Sequence, residues 1–338
     1  MRQLNPGVLL LAGMSALVAV VHADDSISQQ VDGFQHQVDY RYGLNDSDSQ
    51  DHALSYRYYL DEVQFTGPIA LTNELAQTSY IQAGFIRQEP DSFSWTYPKT
   101  DTYTVSGEWI FEQNWFIGGQ YNHYDLENRD VGGYQLSAGY YLTETTRFFV
   151  SYDYADDDGY QQSFFYRDQP EESASFGQWL MYYPSPIYAA NLPTSNRVPG
   201  SIQVGLFQEN EAPKGSLEST IFTLGGSHYL PFAENQGLYL SGYYKKYDIE
   251  AKGNALLQHY VDFSADEILL QADWFITERW NIGAKYNRID FDVIDESEYS
   301  ANTTYTYEFS NGLYIGAGYQ YFIEASANLF NLRLGWRF

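Results

Sequence analysis

A strict two-residue alternation at the C-terminus restricts this chain more than anything else in it. Phe330, Leu332, Leu334, Trp336 and Phe338 occupy every second position, while Asn331, Arg333, Gly335 and Arg337 fill the places between. Successive side chains of an extended strand point to opposite faces, so the two sets separate into an apolar face and an arginine-bearing face. A helix would scatter both around its axis. Such a strand suits a soluble sheet with one wet side, or a barrel with lipid outside and water inside.

The same period returns along the chain. Phe34, Val38, Tyr40 and Tyr42 oppose Gln35, Gln37, Asp39 and Arg41; Leu54, Tyr56, Tyr58 and Leu60 then oppose Ser55, Arg57 and Tyr59, with an acidic hairpin tip between the two runs. Short turns such as Glu112-Gln113-Asn114, Thr143-Glu144-Thr145 and Ser310-Asn311-Gly312 alternate with longer acidic connections. Outer-membrane barrels show that asymmetry, with short periplasmic turns and longer outer loops. Beyond the N-terminal run, no stretch approaches the roughly 20 apolar residues of a spanning helix.

The expected fold is an all-β, transmembrane, antiparallel up-and-down β-barrel of about 16 strands, with about 14 as the fallback; either even count leaves both termini on one side. The middle of the chain separates the two counts. There 156–172 reads as one long loop or holds an extra hairpin around Ser163-Phe164-Phe165-Tyr166. An echo between Tyr58-Tyr59 leading to Gly84 and Tyr182-Tyr183 leading to Gly205 suggests a descending strand at 174–183. By the same echo, 184–199 is periplasmic and 201–208 ascends. A barrel this wide leaves an aqueous channel.

Arg2, the apolar run from Val8 to Val21 and the short side chains up to Ala23 read as a signal peptide over 1–23, leaving one barrel domain over 24–338. A membrane anchor is the alternative, but Gly13 and Ser15 interrupt the run. Without Arg2 the formal charge is 17 − 44 = −27, which argues against a nucleic-acid partner. There is no cysteine, so thiolate metal sites are excluded.

Alternation points Asp39, Arg41, Arg57, Glu108 and Asp153 inward in the first half of the barrel, and Lys245, Asp273, Lys285, Arg333 and Arg337 in the second. Closure of the ring would gather Arg41, Arg57, Arg333 and Arg337 on one wall. Facing carboxylates, they would set up a transverse field; alternatively they only pair with neighbours such as Asp39. The third outer loop, 125–130, is short, so a constriction is expected from 156–172 or 249–265. Asp156-Asp157-Asp158-Gly159 lacks the ligand spacing of a calcium loop and reads as a solvated tip, whose carboxylates divalent cations could bridge to lipopolysaccharide.

His36, His52, His123, His228 and His259 form no metal or nucleophile motif, so no catalytic residue, metal or cofactor is expected. The 33 tyrosines could stack sugars along a pore, but interfacial girdles account for them more simply. Trp109, Trp115, Trp274 and Trp280 all lie beside short turns, as a girdle requires.

Leu334, Trp336 and Phe338 resemble the C-terminal assembly signal of Gram-negative outer-membrane barrels, which implies recognition by the barrel assembly machinery. Further, Tyr58-Tyr59 leading through Gly67-Pro68-Ile69-Ala70-Leu71 into Ala83-Gly84-Phe85-Ile86-Arg87, with the 109–120 hairpin, resembles the general porin family of Gram-negative bacteria. That resemblance implies passive diffusion of small hydrophilic solutes and ions across the outer membrane, contact with its lipid and lipopolysaccharide, and a homotrimer. A substrate-selective channel, for example for oligosaccharides, and a structural or adhesive barrel without an open pore are the alternative readings.

Overall fold

The computed structural model describes residues 33–45, 50–63, 67–89, 100–112, 114–126, 129–161, 214–233, 236–252, 260–291 and 295–338. One half of the barrel is β1 (Phe34–Asn45), β2 (Gln50–Val63), β3 (Tyr80–Glu89), β4 (Thr100–Phe111), β5 (Trp115–Leu126), β6 (Arg129–Thr143) and β7 (Thr146–Gln161). The other half is β8 (Lys214–Ala233), β9 (Gln236–Lys252), β10 (Tyr260–Phe275), β11 (Trp280–Phe291), β12 (Asp295–Glu308), β13 (Leu313–Phe322) and β14 (Ala327–Arg337). These 14 strands pair in chain order as one closed ring, every pair antiparallel.

The C-terminal strand closes the ring. β14 lies beside β1 with Trp336 opposite Val38 and Arg333 opposite Arg41. Phe338 completes the seam: its N–H donates to the His36 carbonyl at 3.0 Å, and its own carbonyl accepts from the His36 N–H at 2.9 Å. The Phe338 ring stacks on the His36 ring, centroids 5.0 Å apart. A ring without edges leaves no open ladder, which is what a strand-built wall in hydrocarbon requires.

Side-chain parity sorts the wall. Leu332, Leu334, Trp336 and Phe338 are exposed, as are Leu136, Val105, Ile117 and Leu270 on other strands, while polar residues such as Gln82, Gln135, Thr223 and Gln320 are buried on the opposite face. Trp109, Trp115, Trp274 and Trp280 are exposed beside the short turns, the position of an interfacial belt.

Three expectations need correction. The strand number is 14, the fallback, and not about 16. β7 and β8 pair directly from Thr146 opposite His228 out to Gln161 opposite Lys214, so no further strand stands between them in the ring. The strands expected at 174–183 and 201–208 and the periplasmic segment expected at 184–199 lie outside the described residues. The expected loops also have other bounds, because residues up to Gln161 belong to β7, with β8 beginning at Lys214, while β9 runs to Lys252 and β10 begins at Tyr260. Finally, Phe34 does not share the outer face of Val38. A register shift between Phe34 and His36 turns it inward, against Tyr59, Val63 and Tyr80.

Candidate functional site

All ten charged residues singled out by alternation lie on the inner face, and the seam between β14 and β1 brings several together. Arg333 Nε donates to Asp39 Oδ1 at 2.5 Å, and the Tyr314 hydroxyl and the Gln37 amide donate to the same carboxylate. Tyr314 reaches Asp39 because its cross-strand neighbour is Gly335, where a Cβ would land on the tyrosine ring. Arg41 stands in register with Arg333, so two guanidinium-bearing positions share one seam around one carboxylate.

The other charges form separate groups. Arg57 turns from Asp39 to Gln82 Oε1 at 2.7 Å and lies over the Tyr80 ring at 4.0 Å. Arg337 faces Glu308 at 3.4 Å. Glu108 accepts from Arg147 at 2.5 Å and from the Tyr141 hydroxyl at 3.0 Å. Across the ring, Lys245 lies 3.7 Å from Glu267, and Asp273 accepts from Asn302 at 3.0 Å. Asp153 accepts from Ser151 at 3.3 Å, and Lys285 lies within the field of Asp273 and Glu267. Sequence reasoning left out Arg147, Glu267, Glu308 and Tyr314. Their signal was available, since each has the inward parity of its own strand.

The least expected element is the connection from β2 to β3. Other connections at that rim are two to four residues long among the described strands, whereas this one runs from 64 to 79. It forms a 3-10 turn at Ile69–Leu71 that continues into a single helical turn, Thr72–Leu75. Ala70, Leu71 and Leu75 are buried against Tyr229 of β8, Tyr239 of β9 and Phe275 of β10. Those strands lie half a circumference from β2 and β3, so this strap crosses the mouth of the barrel.

Polar ties hold the strap around the rim. The Ile69 N–H donates to the Glu278 carbonyl at 3.3 Å, and the Ile69 carbonyl accepts from Arg337 at 3.1 Å. Asn73 accepts from Arg57 at 3.3 Å and from the Tyr59 hydroxyl at 3.1 Å, and Gln77 donates to the Thr143 carbonyl at 2.9 Å. Glu74 is buried with the Tyr239 and Ser227 hydroxyls facing its carboxylate. Burial pushes the Glu74 carboxyl above the usual carboxylate range. The strap therefore narrows the opposite mouth, while the constriction expected from 156–172 or 249–265 falls largely outside the described residues. The signal for the strap was the apolar Ile69-Ala70-Leu71 and Leu75, out of place in a solvated turn.

A closed antiparallel ring with an apolar exterior and a charged interior is the architecture of a membrane-spanning β-barrel. Residues 10–165 match the family model described as "Putative general bacterial porin", the family that the sequence resembles; the matched span ends just beyond β7 and includes the strap. Among solved structures the chain is similar to outer membrane protein Omp33 of Acinetobacter baumannii, at 14% identity over 91% of this chain and 100% of that one, with a TM-score of 0.45. It is also similar to a loop-deleted form of OmpT, an outer membrane protein of Vibrio cholerae, at 9% identity over 90% and 98% of the two chains, TM-score 0.44. The CymD monoaromatic hydrocarbon channel shares 11% identity over 92% and 90%, TM-score 0.44. Likenesses at this level carry over no activity. No curated protein matches the sequence.

Proposed function

We propose that this protein is an outer-membrane porin, exported by a cleaved leader at 1–23, through which small hydrophilic solutes and ions diffuse passively. The observation that carries the reading is a closed ring whose inner wall bears the ten charged residues while its outer wall is apolar. No bond is made or broken in such a passage, so the protein acts as a channel and not as an enzyme. Lipid and lipopolysaccharide contact the outer wall, the barrel assembly machinery reads Leu334, Trp336 and Phe338, and a homotrimer follows from the family resemblance.

A second reading, a substrate-selective channel, is favoured by one observation. Arg41 and Arg333 stand in register at the β14–β1 seam, where they would orient a solute carrying negative charge or polar groups. Planar-bilayer recording separates the readings. A porin gives stepwise, ohmic conductance that solutes do not saturate, a selective channel shows saturable block, and a sealed structural barrel shows no conductance even with the strap removed.

A further inference from the structure

We propose that the inner wall of β10, β11 and β12 carries a binding site for an uncharged polyhydroxy solute, a small sugar or sugar alcohol in passage. This site gives the substrate-selective reading above a solute class, and it depends on that reading. It is built as a grid of inward positions. Asp273, Gly283 and Asn302 stand in one cross-strand row, with Gln271, Lys285 and Ser300 on one side of it and Phe275, Asn281 and Thr304 on the other. Because Gly283 has no side chain, Asp273 and Asn302 meet across it, and the Asn302 amide donates to Asp273 at 3.0 Å. A Cβ on Gly283 would strike both.

Five polar atoms of this patch have no hydrogen-bond partner among the described residues: Gln271 Oε1, Asn281 Nδ2, Asn287 Oδ1, Asn302 Oδ1 and Thr304 Oγ1. All five residues are more than nine-tenths buried, from Asn281 at 2% exposure to Asn302 at 7%. Two of the amides cannot turn over to ease this. Gln271 Nε2 and Asn302 Nδ2 both donate to Asp273, which fixes their carbonyl oxygens away from it. A buried polar atom left unmade is costly, so five on one patch of wall point to a visitor that supplies both donors and acceptors.

The chemistry of the visitor follows from what is unmet. Three carbonyl oxygens need donors, the Asn281 N–H needs an acceptor, and the Thr304 hydroxyl serves as either. Solute hydroxyls, which donate and accept, match that set. Charge argues against an ion: Lys245 lies 3.7 Å from Glu267, and Lys285 lies in the field of Asp273 and Glu267, so two ammonium groups balance two carboxylates. Lys285 also stands in register between Gln271 and Ser300, where it would repel a metal ion drawn by the carbonyl oxygens. The aromatic face of Phe275 is taken by Leu71 and Leu75 of the strap, which leaves hydroxyl contacts alone. Such binding is weak enough to release a solute that must pass on.

Two measurements on the full chain test this. In planar bilayers, glucose and trehalose should lower the ionic current saturably, while a polyethylene glycol of equal hydrodynamic radius lowers it only in proportion to its concentration. Asn281→Ala and Asn302→Ala, each checked for folding by heat-modifiability, should raise the half-blocking sugar concentration by about two- to tenfold. Sugars that act no differently from the glycol, or folded variants blocked at the native concentration, overturn the site and leave water alone to complete the patch. The second measurement needs no variant and no current: equilibrium dialysis of the refolded native barrel in detergent against radiolabelled trehalose. Saturable retention displaced by unlabelled sugar and not by the glycol supports the site, and no retention overturns it. A folded barrel that passes no current would sink the channel reading instead, and the dialysis would still decide the site.

Discussion

Asp39 shows at the level of one residue what holds the inner wall. It takes a guanidinium from Arg333, 294 positions away in sequence, together with a phenol from Tyr314 and an amide from Gln37. Removing one partner of a buried pair strands the other, at a cost of about 3–5 kcal/mol. Asp39→Ala should accordingly lower the urea midpoint of unfolding in detergent by an equivalent amount, and a loss under about 1 kcal/mol, as for a surface pair, would contradict this account of the seam. Gly335→Ala should weaken the same network without touching a charge, because its methyl would displace Tyr314. Heat-modifiability on gels reads that as a lower unfolding temperature. Parity made the inward position of these residues legible in the sequence; their partners were not, because closure joins ends that no local pattern connects.

At the level of elements, strands with a solvated and an apolar face were legible because lipid enforces the alternation at each position. The count near the middle failed for a physical reason. β7 pairs with β8 from Thr146 to Gln161, and a resemblance between two loop-flanking segments says nothing about which ladder a strand completes. Phe34 failed because a bulge breaks the period that marked it. The strap was missed because its apolar residues read as an ordinary connection until the ring brought β8, β9 and β10 over them. Replacing 69–76 with a short Gly-Ser turn should raise single-channel conductance more than shortening any outer loop; no increase would mean that the strap does not lie in the conducting path. Deleting Phe338 removes three seam hydrogen bonds and the His36 stack, so the yield of folded barrel in outer membranes should fall while the level of exported chain does not.

For the whole molecule, a closed 14-strand ring with polar residues inside and apolar residues outside suits a wall in lipid, and the strap lies across one of its mouths. Its stability comes from closure and from paired charges, since there is no cysteine to cross-link it. The most direct measurement is planar-bilayer recording of the refolded barrel beside its strap-deleted form, with reversal potential taken across a salt gradient. Discrete ohmic steps in both, larger in the deleted form, are what this account predicts. Two correctly folded barrels that both stay silent would contradict it.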